Sequence, residues 1–325
     1  MAQTRGEGSM DEPDWRRFIT AYHHEHPGIT EQLFSLADTS PYAWLAEPLR
    51  GIEGTVLDLA CGSAPTRDQL PDADWAGIDL SAAELAEAAR RGRGPLVRAD
   101  ADALPAASAS AGAVCAAMCL PVVTPLPQVL REIRRVLRPG GTLAALVPSQ
   151  SGLSPAGMLG WIRVMAALRA VRQPWPNPQA RDGLAALLHD AGFRVRCDER
   201  RVFTLAIDSA DAAALLPDAL YLPGLTARRA QAAKRSLARW AAPGRRLELP
   251  LRRVVADLPT EQPSQEPPPA SACHVDRLFA RPDHQQAGTA AATPRWPPGT
   301  HFSRPCFGAG PAAPALHTGG CSPPA

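Results

Sequence analysis

Apolar positions along the chain fall into short runs separated by turn residues. Residues 55–59 (TVLDL) form one such run, and it predicts a strand followed by a small-residue turn running into a helix. Residues 75–80 (WAGIDL) predict a second strand. Ser81 then stands at the N-cap of a helix over 82–91, with Glu84 at the capping-box position. Residues 96–99 predict a third strand. Residues 113–120 predict a fourth, apolar on both faces as in the centre of a parallel sheet, with Cys115 and Cys119 on one face by the two-residue period. Over 128–138 the period changes to a helix. Val129, Leu130, Ile133, Val136 and Leu137 share one face, while Arg131, Arg134, Arg135 and Arg138 make a solvated one. Pro139-Gly140-Gly141 stops that helix, and 142–147 predict a fifth strand. A late helix carries Leu184, Leu187, Leu188 and Ala191 and ends at Gly192. Residues 193–197 and 202–207 predict a closing pair of strands. Helical patterns also cover 15–36 and 208–240, and 247–255 end the folded part. The alternation of strand and helix argues for a doubly wound α/β sheet with right-handed crossovers.

Composition changes this picture at one end. Of 35 prolines, 14 fall in the 68 residues from Leu258 to Ala325, where no period survives, so that tail is expected to be disordered. Its Cys273, Cys306 and Cys321 lack the paired short spacing of a metal site, and Cys273-His274 does not supply one. The formal net charge of +2 gives no electrostatic case for nucleic acid or an acidic membrane. Lys234 is the only lysine among 34 basic residues, which reads as coding bias. No run reaches a membrane span, and the polar N-terminus has no apolar signal core, so a cytoplasmic protein is expected. Seven unevenly spaced cysteines make no disulfide framework.

The chemistry concentrates between Thr55 and Asp102. The first strand ends at Asp58 and opens into Ala60-Cys61-Gly62-Ser63-Ala64, small residues that let a ligand approach the backbone. Asp79 ends the second strand, where a carboxylate accepts the hydroxyls of a ribose, and Asp100 ends the third. A dinucleotide fold needs G-x-G-x-x-G. Here Ala60 and Ala64 stand at the first and third small positions, and Asp58 would repel a pyrophosphate but suit a sulfonium or ammonium. A Tyr-x-x-x-Lys oxidoreductase is set aside because Ala230 stands four residues before the only lysine.

VLDLACGSAP, GIDLS and RADADALP resemble the successive motifs of class I S-adenosylmethionine-dependent methyltransferases. LREIRRVLRPGGTLAALVP and LLHDAGFRV resemble the later helices and strands of the ubiquinone/menaquinone (methyltransferase type 11) branch. The resemblance implies a Rossmann-like seven-stranded sheet, mostly parallel with an antiparallel C-terminal strand. It divides the chain into an N-terminal helical lid (1–50), a methyltransferase domain (51–207), a helical extension with the last strand (208–257) and the Pro-rich tail (258–325). It implies S-adenosyl-L-methionine as cofactor and a small-molecule acceptor methylated at O, N or C, with no nucleic-acid and no membrane partner. It implies that Ala60, Cys61 and Gly62 run along the methionine part of the cofactor, with Asp58 fixing the loop. Asp79 holds the ribose, Leu80 lies against adenine, Asp100 and Ala101 meet the adenine edge, and Met118 lies near the sulfonium. Gly112 departs from the family, which commonly has Asp there, and no acidic or His pair follows the fourth strand. A protein that binds the cofactor without transferring methyl is therefore the alternative. On the acceptor side, Tyr22, His23, His24 and His26 lie on the N-terminal helix, where a solvated face is the expectation for each His. Tyr42 and Trp44 suit either a pocket wall or the core. The apolar insert over 149–180, with Trp161, Met165 and Trp175, suggests an apolar acceptor.

Overall fold

The structure is a computed structural model and describes residues 11–260. In chain order it forms α1 (Glu12–Glu25), α2 (Ile29–Phe34), α3 (Pro41–Ala46), β1 (Thr55–Leu59), β2 (Trp75–Asp79), α4 (Ala82–Arg90), β3 (Leu96–Arg98), β4 (Ala111–Ala117), α5 (Leu126–Val136), β5 (Leu137–Pro148), α6 (Pro155–Leu168), α7 (Gln179–Asp182), α8 (Leu184–Asp190), β6 (Arg194–Ala206), α9 (Ala210–Asp218), α10 (Ala227–Ala238) and β7 (Arg246–Asp257). The strands join one sheet in the order β3-β2-β1-β4-β5-β7-β6. β1 to β5 are parallel, and β7 runs antiparallel between β5 and β6. This is the expected doubly wound, Rossmann-like seven-stranded α/β sheet. From β1 the chain winds outward through β2 and β3, then crosses back to β4, so a crevice opens beyond the C-terminal ends of β1 and β4.

Alternation along the central strand divides the core. Ala113 and Cys115 of β4 join Leu45, Leu168, Leu216 and Leu237 from α3, α6, α9 and α10 on one face. Val114 and Ala116 join Val129, Ile133 and Leu188 from α5 and α8 on the other. α1 is anchored by Trp15, which is 1% exposed and donates its indole N–H to the Val122 carbonyl at 2.7 Å. Gly112 has a packing cause: a Cβ there would overlap the Glu53 carbonyl oxygen, so no side chain fits.

Several elements differ from the sequence expectation. The helix over 15–36 breaks at His26-Pro27-Gly28, with Gly28 at φ 72°. No α-helix follows β1. Residues 60–74 hold only a 3₁₀ turn at Arg67–Gln69, because Pro65 and Pro71 remove donors and no apolar period is present to pack a helix. β5 begins at Leu137, directly after α5, since Gly140 and Gly141 exchange backbone bonds with Leu258 instead of ending the element. The expected pair of closing strands is one strand, β6, whose charged stretch Asp198 to Arg201 stays paired with β7. β6 is an edge strand, so charge is tolerated there, and Arg252 grips Asp198 at 2.6 and 2.7 Å. Cys119 does not share the face of Cys115: Met118, at φ 62°, breaks the alternation and turns Cys119 into the other core layer. Arg134 and Arg135 are not merely solvated; they donate to the carbonyls of Ala191, Leu104 and Ala106. The expected tail lies outside the described residues from 261 onward, including Cys273, His274, Cys306 and Cys321. Among the described residues no helix is long and apolar enough to cross a membrane.

Candidate active site

A cleft with an empty volume of about 1120 Å³, its mouth included, opens beyond the ends of β1 to β4. Its floor is the loop after β1. Ala60, Gly62 and Ala64 all take left-handed backbone, with φ of 51°, 55° and 58°. Glycine adopts this freely, whereas each alanine pays about 1–2 kcal/mol. The loop is held by Cys61 N–H donating to the Ile78 carbonyl at 3.0 Å and Gly62 N–H donating to Asp79 Oδ2 at 2.8 Å. Ser81 N–H donates to the other oxygen, Asp79 Oδ1, at 2.8 Å. The two backbone donors fix the carboxylate's orientation and leave lone pairs toward the cleft. Burial raises the pKa of Asp79 against those donors. Close packing beneath requires Gly77, where a Cβ would stand 2.8 Å from Cys61 Sγ and 2.5 Å from the Trp75 ring.

Eight of the nine residues singled out for the cofactor line this cleft: Ala60, Cys61, Gly62, Asp79, Leu80, Asp100, Ala101 and Met118. Asp58 does not. It lies 1% exposed beneath the loop, where one oxygen accepts the Thr66 hydroxyl and the other has no partner. Burial pushes its pKa up to about 7. The negative charge that a ligand meets therefore comes from Asp79, Glu84 and Asp100 rather than from Asp58.

The N-terminal helices close the other side. His23 enters the cleft instead of facing solvent, with Nδ1 2.7 Å from Glu84 Oε1 and Nε2 3.1 Å from the Tyr221 hydroxyl. A carboxylate accepts, so Nδ1 carries the proton, and in the neutral ring Nε2 accepts from Tyr221. Glu84, 2% exposed, also accepts Gly28 N–H at 2.8 Å. It makes no capping-box return: Asp79 takes the Ser81 N–H, which frees Glu84 for the helices above it. Ser81 itself caps α4 as expected. His24 is exposed, and Tyr22 is turned to the Asp218 carbonyl and the Tyr221 ring. Tyr42 lines the cleft, while Trp44 packs on Phe203 in the core. None of Trp161, Met165 and Trp175 lines it; α6 carries the first two away to pack against α10 and β7.

Ion pairs centred on two arginines tie the helices down. Arg16 of α1 bridges Asp100 and Asp102. Arg93 bonds Glu31 of α2 at 2.9 Å and the Ser63 carbonyl at 2.7 Å, and also reaches Asp68. Glu84, Tyr221, Arg16 and Glu31 escaped the sequence reading. Glu84 resembled a cap, and Tyr221 comes from 142 residues beyond Asp79 (221 minus 79), with no local signal. The basic groups of the cleft, Arg16 and His23, are both occupied by carboxylates. The carboxylate acceptors therefore suit hydroxyls and positive charge rather than phosphate. Among the described residues no cluster could hold a metal ion.

Residues 57–145 match a family described as "Methyltransferase domain". The chain is 43% identical over 117 residues to a malonyl-[acyl-carrier protein] O-methyltransferase of Alcanivorax borkumensis, covering 33% of this chain and 39% of that protein. It is 35% identical over 157 residues to a demethylmenaquinone methyltransferase of Beutenbergia cavernae, covering 43% and 65%. The matched spans thus amount to between two fifths and two thirds of these relatives' lengths. A solved N-methyltransferase 2 of Haemonchus contortus, in complex with phosphomonomethylethanolamine and S-adenosylhomocysteine, aligns over 77% of this chain and 60% of that one, with 14% identity and a TM-score of 0.45. Residues 57–145 are thus similar to a methyltransferase domain.

Proposed function

We propose, from the match of residues 57–145 to a methyltransferase domain, that the chain is a class I methyltransferase and transfers methyl from S-adenosylmethionine to an O, N or C centre of a small molecule in the cytoplasm. The observation that carries this reading is the convergence of Asp79, Asp100 and the left-handed loop Ala60-Cys61-Gly62 on one crevice at the switch point of the sheet. The residues fit the cofactor. Carboxylates with free lone pairs suit ribose hydroxyls and an adenine amino group, and the acidic surroundings suit a sulfonium and an ammonium. Asp79 would hold the ribose, Leu80 and Ala101 the adenine, with Asp100 at its edge. The backbone of Ala60, Cys61 and Gly62 would follow the methionine part, with Met118 beside the sulfonium and Asp58 bracing the loop through Thr66. When bound, the cofactor supplies a methyl group already activated as a sulfonium.

The chain's own work is then to position the acceptor and exclude water. Of the expected lid at 1–50, the described residues 11–50 act as the lid over the domain at 51–207, and the extension over 208–257 contributes Tyr221. The acceptor belongs on the lid side, between His23, Tyr42 and Tyr221. Where an acceptor must lose a proton, it displaces the Tyr221 hydroxyl from Nε2 of His23, and His23, backed by Glu84 at Nδ1, takes the proton there. Calorimetric titration of S-adenosylmethionine is expected to show micromolar binding to the full chain and a loss of about tenfold or more in Asp79→Ala, which removes charge-assisted bonds. Absence of binding to the unaltered chain would refute the reading. Formation of S-adenosylhomocysteine with an acceptor separates transfer from mere binding.

A further inference from the structure

The near-neutral total charge conceals two basic stretches. Residues 150–181 contain four arginines and no acidic residue, and residues 219–247 contain six arginines, one lysine and no acidic residue. These two stretches hold α6 and α10, which pack against each other. Arg229 of α10 joins them further by donating to the carbonyls of Leu168 and Arg169 at the end of α6. Lys234 and Arg181 have acidic partners, Asp218 and Asp182. Arg163, Arg169 and Arg172 beside α6 and Arg228, Arg235 and Arg239 on α10 are exposed and make no ion pair among the described residues.

The same surface displays apolar side chains that the core does not use. Met158, Leu159 and Ile162 of α6 are 55%, 66% and 58% exposed. Val171, between Arg169 and Arg172, is 98% exposed. With Gly157, Val164 and Leu168 of the same helix buried, α6 is apolar inward and also apolar along part of its outward face. A helix covered by water alone gains nothing from such residues.

We propose that the α6–α10 surface seats the protein on an anionic lipid bilayer, with Met158, Leu159, Ile162 and Val171 entering the headgroup boundary and the arginines meeting lipid phosphates. Apolar residues flanked by arginines suit that boundary, since the arginine stems lie along the apolar region while the guanidinium groups reach the phosphates. A second copy of the chain fits less well, because two like-charged faces repel. Nucleic acid leaves the outward methionine, leucine and isoleucine without a use. The inference stands apart from the methyl-transfer reading and does not depend on it.

The test is co-sedimentation of the full chain with vesicles of phosphatidylcholine alone and of phosphatidylcholine mixed with phosphatidylglycerol. Binding to the mixed vesicles is expected, with weaker binding to the neutral ones and release by salt. The pair Arg169→Glu and Arg172→Glu is expected to weaken the anionic binding at least about tenfold, and Leu159→Glu with Ile162→Glu similarly. All four positions are exposed, so the fold tolerates them. Arg50→Glu with Arg138→Glu, the same charge change elsewhere, is expected to bind as the unaltered chain does. No sedimentation with anionic vesicles overturns the proposal. So does binding that the α6 variants leave intact, which would put the contact elsewhere. Retention by polyglutamate without vesicle binding also overturns it, in favour of an acidic protein partner.

Discussion

Replacing Asp58 by asparagine tests the electrostatics beneath the cofactor loop. The carboxyl is 1% exposed, has one oxygen without a partner, and titrates at about 7 because burial penalises its charge. In the unfolded chain an aspartate titrates at about 3.9. Between these values the folded chain binds more protons than the unfolded one. Stability contributed by the protonated form is therefore complete below about pH 4 and is lost as pH rises toward 7. A gap of about 3 units, at about 1.36 kcal/mol each, caps the cost of ionisation at about 4 kcal/mol, of which about 2.6 kcal/mol accrues between pH 5 and pH 8. Asparagine cannot ionise. Its carbonyl can still accept the Thr66 hydroxyl, while its amide is left unpaired at a pH-independent cost of about 1–3 kcal/mol. The absolute difference at one pH is thus uninformative, and the slope is the readout. Urea unfolding of both proteins across that range is expected to show Asp58→Asn gaining about 2–3 kcal/mol on the unaltered chain as pH rises, levelling off above 7. A constant difference, or a gain by the unaltered chain, would refute the reasoning.

Other consequences follow from the loop and the lid. Ala60→Gly and Ala64→Gly each relieve a left-handed alanine, and after the entropy gained by the unfolded chain each is expected to stabilise by about 0.5 kcal/mol, read from the urea midpoint. Gly62→Ala imposes the same strain anew and, after the entropy lost by the unfolded chain, is expected to cost about 0.5 kcal/mol. Arg93→Ala leaves Glu31 half-buried without its main partner; a loss of roughly 2 kcal/mol and faster proteolysis between α1 and α3 are expected, and unchanged cleavage would show that the lid does not depend on this pair. Tyr221→Phe removes the hydroxyl facing His23 and is expected to shift the imidazole resonances of His23 while leaving cofactor affinity within about twofold, as measured by NMR and calorimetry.

Much of this architecture was legible in the chain because it depends on neighbours in sequence. The short apolar runs at 55–59, 75–80 and 113–120 mark strands, the period of 3.6 in 128–138 marks a helix and its buried face, and alternating strand with helix leaves few topologies. The carboxylates Asp79 and Asp100 were legible for the same reason: in a parallel sheet the ends of successive strands meet at one edge. What the sequence could not decide were groupings made by chain segments far apart. Asp58 looked like a ligand-facing charge, and only packing put it under the loop with an unpaired oxygen. Glu84 looked like a helix cap, until Asp79 took the cap's N–H and the N-terminal helices supplied His23 and Gly28 as partners. The charged stretch Asp198 to Arg201 looked like a turn, and only pairing with Arg252 and Arg253 of β7 made it a strand. In each case the local preference was real but weak, and a partner more than fifty residues away, or the loss of water, outweighed it. Tertiary structure likewise determined that α6 and α10 lie side by side, so that two basic stretches of a nearly neutral chain become one surface.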